Sequence, residues 1–186
     1  MKYPAAFNFS KLDPKETIVI VSPGNLDDML SYPRICKTKG IDYIFDPGQS
    51  LPMLEPGNLA ESIKGCLILI ANDYELEMII KKTGLQKVEL LKLTGNIIVT
   101  QGESGSLVST PEGEFKIPAV KPAKAVDPTG AGDAYRGGLL SGLVHGKTIW
   151  ESAMMGSVCA SFCVEHYGTQ DYRFSKAEFE ARLASC

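Results

Sequence analysis

Short runs of aliphatic and β-branched residues alternate with longer amphipathic stretches over the first hundred positions. Residues 17–21 (TIVIV), 41–45 (IDYIF), 66–71 (CLILIA) and 96–100 (NIIVT) each read as a strand closed by turn residues. CLILIA holds no polar residue, the pattern of a strand covered on both faces. Between these runs the spacing predicts helices over about 26–37, 58–64, 73–82 and 87–93, with Gly40, Gly65 and Gly84 just past three of them. Residues 106–109 and 114–117 flank Pro111-Glu112-Gly113 and read as a hairpin. Beyond Asp127-Pro128 the pattern turns helical, over about 131–145, 148–166 and a short last helix opened by Ser175. Thr148 with Glu151, and Ser175 with Glu178, have the spacing of a capping box. Strands alternating with helices imply an α/β fold, a mostly parallel sheet with helices on both faces.

Composition narrows the classes. The chain has 186 residues, 44% hydrophobic and 22% charged, which fits one globular domain without a linker or repeat. Its formal charge is -3, opposite to that of a duplex reader, so no nucleic-acid partner is expected. No apolar run approaches the ~20 residues that span a bilayer. The start, MKYPAAFNFS, lacks the basic and apolar segments of a secretory leader. The five cysteines are odd in number and form no paired CxxC set, against a disulfide framework or zinc knuckle. A reducing cytoplasm is the expected compartment.

The chemistry concentrates in Asp127-Pro128-Thr129-Gly130-Ala131-Gly132-Asp133-Ala134. A Pro and two glycines lead into a helix, whose first-turn amides are unpaired and face the positive end of the dipole. Gly130 and Gly132 carry no side chain to screen those amides, so the loop suits a phosphate and charge developing in phosphoryl transfer. A carboxylate beside an anion hole repels the anion unless it has a task, and taking a proton from an attacking alcohol is one. The plainer alternative is that Asp133 is a favourable first-turn acid and the glycines make a tight turn. Tyr135 stands where the third glycine of a dinucleotide fingerprint belongs, and Ser141 where a P-loop preceding Gly146-Lys147-Thr148 needs its first glycine. Gly137, Gly138 and Gly142 sit inside the following helix at about 1 kcal/mol each relative to Ala, which suggests close packing, on the sheet by expectation, or a bound ring.

DPTGAGDAYRGGLLSGL resembles the C-terminal signature of the PfkB, or ribokinase-like, family of carbohydrate and nucleoside kinases. VEHYGTQ (164–170) and FDPGQ (45–49) look most like its adenosine-kinase-like members, and the resemblance runs from about residue 17 to 183. It implies a three-layer α/β/α sandwich and an ATP-dependent transfer to an alcohol group of a sugar or nucleoside. By the same resemblance Asp133 matches the catalytic base, and Gly130, Ala131 and Gly132 the anion hole. Asn72 and Glu75 match a motif tied to Mg2+ and the nucleotide phosphates. Thr100, Gly102 and Gly105 match the strand-end segment lining the ATP site, and Ser157 a position touching adenine. Asp127 and Thr129 match positions that often hold a monovalent cation such as K+.

Each match has a local alternative. Asn72 and Glu75 have capping-box spacing. Gly102 and Gly105 can begin the hairpin, Ser157 can be a small packing residue, and Asp127 before Pro is a common turn starter. His145 and His166 fit helix C-caps, and Cys159 with Cys163 fits a core face. The family's N-terminal strands, β lid, sugar-binding Asp and Gly-Gly segment have no counterpart here. Residues 1–186 are therefore expected to form a single C-terminal, nucleotide-binding portion of the kinase domain. Its first strand would be an edge open to a second copy or to a complementing N-terminal half. Three readings follow: a kinase, a nucleotide-binding remnant without independent activity, and a purely structural domain, which the retained constellation disfavours.

Overall fold

The structure, a computed structural model, describes residues 3–186. It divides into two compact units: the chain up to Thr100 with Val108–Phe115, and Gln101–Leu107 with Lys116–Cys186.

The first unit rests on parallel strands. β1 (Ile18–Val21), β2 (Asp42–Phe45), β3 (Ile68–Asn72) and β4 (Asn96–Thr100) are neighbours in chain order, each pair parallel. Parallel neighbours need a crossover, and α1 (Leu26–Lys39), α2 (Pro56–Ile63), α3 (Asp73–Thr83) and α4 (Lys87–Leu93) provide it. Ile68, Leu69, Ile70 and Ala71 are all buried, as an unbroken apolar strand requires. β5 (Ser106–Thr110) and β6 (Gly113–Ile117) complete a six-stranded order from β1 to β6. The turn at Pro111 and Glu112 is too short for anything but an antiparallel pair. Glu114 fixes this hairpin by accepting from the Ser109 hydroxyl at 2.6 Å and pairing with Lys87.

Helix ends follow local chemistry. α1 opens where the Asn25 side chain accepts from the Asp28 amide and closes at Gly40, which is left-handed at φ 66°. It outruns the expected 26–37 because the glycine, not the charged tail, stops it. α2 starts two residues before the expected 58 because Pro56 suits the first helical position, where its missing N–H costs nothing.

The second unit is helical. α5 (Ala131–Val144) and α6 (Ile149–Cys163) pack tightly together, and α7 (Lys176–Ala184) follows behind its Ser175–Glu178 capping box. α6 ends before the expected 166. The Val164 carbonyl accepts from the amides of Val126 (2.7 Å) and Asp127 (3.2 Å), so the incoming loop takes the place of another helical turn. The expectation that the α5 glycines pack on the sheet is corrected: two of them face α6. A Cβ on Gly138 would lie 2.5 Å from the Met155 carbonyl oxygen, and one on Gly142 would lie 2.7 Å from Ser152 Cα. α7 is tied down by Arg182, whose guanidinium covers the Phe162 ring at 3.5 Å and pairs with Glu165 at 2.9 Å. Among the described residues, no helix is long and apolar enough to cross a membrane.

Candidate functional site

The loop before α5 is held by one carboxylate. Asp127 accepts from the Thr129 amide through Oδ1 and from the Gly168 amide through Oδ2, both at 2.9 Å. The Thr129 hydroxyl, with the Gly168 and Thr129 amides, holds the Asp127 carboxyl below the usual Asp range. A depressed folded pKa contributes stability that is present above the unfolded value and lost as pH falls through the folded one. We therefore expect the protection of the Gly168 and Thr129 amides, relative to their intrinsic exchange rates, to hold near neutrality and to fall as pH drops through the depressed Asp127 value. An Asp127→Asn variant should show no such acid step.

Gly130 caps α5 in a left-handed conformation, φ 85°, and no side chain caps the helix. A Cβ there would lie 2.9 Å from Thr169 Cα, so only glycine fits both the angle and the neighbour. The Ala131 amide turns back onto the Pro128 carbonyl at 3.1 Å, and Ala134 makes the first helical bond, to the Gly130 carbonyl. The amides of Gly132 and Asp133 precede that ladder and are the open donors at the helix start. Of the three expected anion-hole residues, Ala131 thus spends its amide within the loop.

Asp133 points outward. Its side chain is 80% exposed and borders a cavity of about 440 Å³ that is also lined by Gly137, Ser141, Met155, Cys159 and Phe174. Gly137 has nothing within 4 Å of where a Cβ would stand, unlike Gly138 and Gly142. Burial pushes the Cys159 thiol up to about 11, and burial with the nearby Asp127 and Asp133 charges raises Cys163, so neither thiol is poised as a ligand or nucleophile. Arg136, which the sequence analysis did not single out, has its Nη1 3.4 Å from Asp133 Oδ1, an i,i+3 acid–base pair on one helix.

Other expected site residues fall into two groups. In the first unit, the Asn72 side chain accepts from the Glu75 amide at 2.7 Å, and Glu75 Oε2 accepts from the Asn72 amide at 2.8 Å. The capping box is therefore real, and Glu75 engages it through one oxygen only. Thr100 closes β4 in the same unit. In the second unit, Gly102 is left-handed with open space around it, φ 54°. Gly105 is left-handed at φ 90°, and a Cβ there would lie 2.1 Å from the Ile117 carbonyl oxygen. Ser157 is 6% exposed and donates to the Pro118 carbonyl at 2.8 Å. Gly105 and Ser157 thus converge on neighbouring residues, Ile117 and Pro118. His145 and His166 meet the carbonyls of Ser141 and Phe162, as helix C-caps do. No group of three or more His, Cys, Asp or Glu among the described residues could cage a metal ion.

The chain resembles known proteins in sequence and fold. The chain is 34% identical over 170 residues to a nucleoside kinase of Methanocaldococcus jannaschii, covering 89% of this chain and 56% of that one. It is 43% identical over 104 residues to inositol 3-kinase of Arabidopsis thaliana, covering 53% of this chain and 29% of that one. Among solved structures, Burkholderia thailandensis nucleoside kinase in complex with inosine superposes with a TM-score of 0.88 at 34% identity, covering 90% of this chain and 55% of that one. The chain spans about half the length of the nucleoside kinases it matches. The fold is ribokinase-like. The family description "pfkB family carbohydrate kinase" matches residues 8–175, nearly the whole length, and the chain accordingly belongs to the PfkB family.

Proposed function

We propose that this chain carries the nucleotide-binding and proton-abstracting part of an ATP-dependent kinase that phosphorylates an alcohol group of a nucleoside or sugar. The observation that carries the reading is the placement of Asp133. It is the acid of the first turn of α5, exposed, beside a cavity, and one residue after an unscreened helix-start amide. Similarity to nucleoside kinases supports a nucleoside or sugar acceptor.

In this mechanism the acceptor O–H gives its proton to the Asp133 carboxylate. The acceptor oxygen forms a bond to the γ-phosphorus as the bond from that phosphorus to the β–γ bridging oxygen breaks, and ADP leaves. The amides of Gly132 and Asp133 stabilise charge on the equatorial oxygens, an electrostatic role of the kind that dominates phosphoryl transfer. Gly130 supplies the left-handed bend that presents them. Thr100, Gly102, Gly105 and Ser157 are the residues we assign to the nucleotide side. Ser157 does so by fixing Pro118, since its hydroxyl is already committed.

Asn72 and Glu75 would suit a hydrated Mg2+, because such an ion keeps several waters and asks for one or two protein oxygens. Glu75 Oε1 is outside the capping bond. When bound, the ion neutralises phosphate charge. Asp127 and Thr129 would hold a monovalent cation such as K+. The two carboxylate oxygens there each accept one amide and retain lone pairs for an ion. A second reading, nucleotide binding without independent transfer, is favoured by the coverage of only about half of the relatives' length.

The direct test is incubation with MgATP and a panel of nucleosides and sugars, followed by phosphorus NMR for a new phosphate ester. An ester on at least one hydroxymethyl acceptor is expected. MgATP binding with no ester on any acceptor would favour the second reading.

A further inference from the structure

Resting on the transfer reading above, we propose that Tyr135 is a positioning residue, whose bond to Ser106 holds the nucleotide-side segment at residues 102–105 in register with the helix start that receives the transferring phosphoryl. Where a dinucleotide fingerprint has its third glycine, this chain carries a phenol two residues after Asp133. The Tyr135 and Ser106 hydroxyls share a hydrogen bond of 2.8 Å, and both side chains are buried. Ser106 directly follows Gly105, and Tyr135 lies in the opening of α5 beside Asp133. Both residues belong to the second unit, so the contact lies within one compact body.

The bond closes a circuit of contacts. Gly105 lies against the Ile117 carbonyl, and Ser157 donates to the next carbonyl along, that of Pro118. Gly156, one residue before Ser157, admits Tyr135: a Cβ there would lie 2.8 Å from the Tyr135 carbonyl oxygen and 3.1 Å from two carbons of its ring. From Tyr135 the hydroxyl bond returns to Ser106, beside Gly105. Two residues assigned to the nucleotide, Gly105 and Ser157, are thus tied to α5 through one side chain. A Phe ring could pack on Gly156 equally well, so packing does not account for the hydroxyl. Burial pushes the Tyr135 phenol up to about 12, so it keeps its proton at neutral pH and the bond persists there. Alignment accounts for it. ATP would engage the nucleotide side at one end and the α5 amides at the other, and a misplacement of about 1 Å between such groups can cost about 10²-fold. A hydrogen bond between two buried hydroxyls fixes that spacing at one point.

The test compares binding of MgATP with binding of AMP, which lacks the two outer phosphoryl groups, by calorimetry. The variants are Tyr135→Phe, Ser106→Ala and the two combined, each with a melting curve. Either single change leaves one buried hydroxyl unpaired and should lower Tm, whereas the double variant replaces both partners by apolar groups and should return close to the parent. AMP affinity should stay within about threefold of the parent throughout, while the preference for MgATP over AMP falls at least about fivefold in all three variants. The double variant is decisive, because it restores the packing without restoring the link. A preference that recovers there along with Tm reduces the contact to packing and overturns this assignment alone, as does a parental preference in every variant. A parent that binds MgATP no better than AMP overturns the transfer reading and the assignment together.

Discussion

Asp133→Ala is expected to lower phosphoryl transfer by about three orders of magnitude while leaving MgATP affinity within a few-fold, because a positioned general base contributes roughly 10²–10⁴. The asymmetry is the informative part. Asp133 is exposed at the cavity edge, and its side chain pairs with Arg136 at 3.4 Å. Removing it takes away no packing. The amides of the first turn belong to the backbone and persist in the variant. A purely first-turn acid would cost only about 0.3–1 kcal/mol of helix stability, visible in melting and absent from the chemical step. Steady-state kinetics with paired melting curves separate these outcomes. Near-parental kcat in a folded Asp133→Ala chain would contradict the role assigned to it.

Gly138→Ala should destabilise the second unit through the α5–α6 contact. The added Cβ would sit 2.5 Å from the Met155 carbonyl oxygen and 2.8 Å from Gly156 Cα, both backbone atoms that cannot step aside as a side-chain tip would. Overpacking of this kind costs about 1–3 kcal/mol and sometimes more, while Ala regains about 1 kcal/mol of helix propensity. A net loss of up to about 2 kcal/mol corresponds to a fall in Tm of up to about 4–8 °C for a chain of this size. Gly137→Ala is the matched control. It meets nothing within 4 Å, so the propensity gain should stand alone and raise Tm slightly. Equal effects from the two substitutions in a thermal melt would contradict the packing described for α5 and α6.

These neighbouring glycines mark the limit of what the sequence discloses. Read in one dimension, Gly137, Gly138 and Gly142 share one unexplained helix cost. In the structure two admit α6 and the third opens onto the cavity, a division that depends on which helix lies opposite. Two elements were legible to the residue: α4, opened by the Gln86 amide donating to Glu89, and β4, which turn residues flank. The 3-10 turn at Gly48–Met53 was not, since its short span and internal Pro52 have no period to read. The site divides in the same way. The loop from Asp127 to Asp133 is local in sequence and could be recognised from the order of its glycines and acids. The staple from Asp127 to Gly168 joins residues far apart in the chain, and no spacing rule announces it. The contact between Arg136 and Asp133 was hidden for another reason: an arginine inside a helix is ordinarily a solvated surface residue.

The most direct measurement is an amide proton–nitrogen NMR titration of the chain with MgATP. The account predicts that the signals of Gly132 and Asp133 shift together and saturably, with the nitrogen-bound protons moving as they acquire a phosphate acceptor. Saturable nucleotide binding that leaves those two amides unmoved would contradict it.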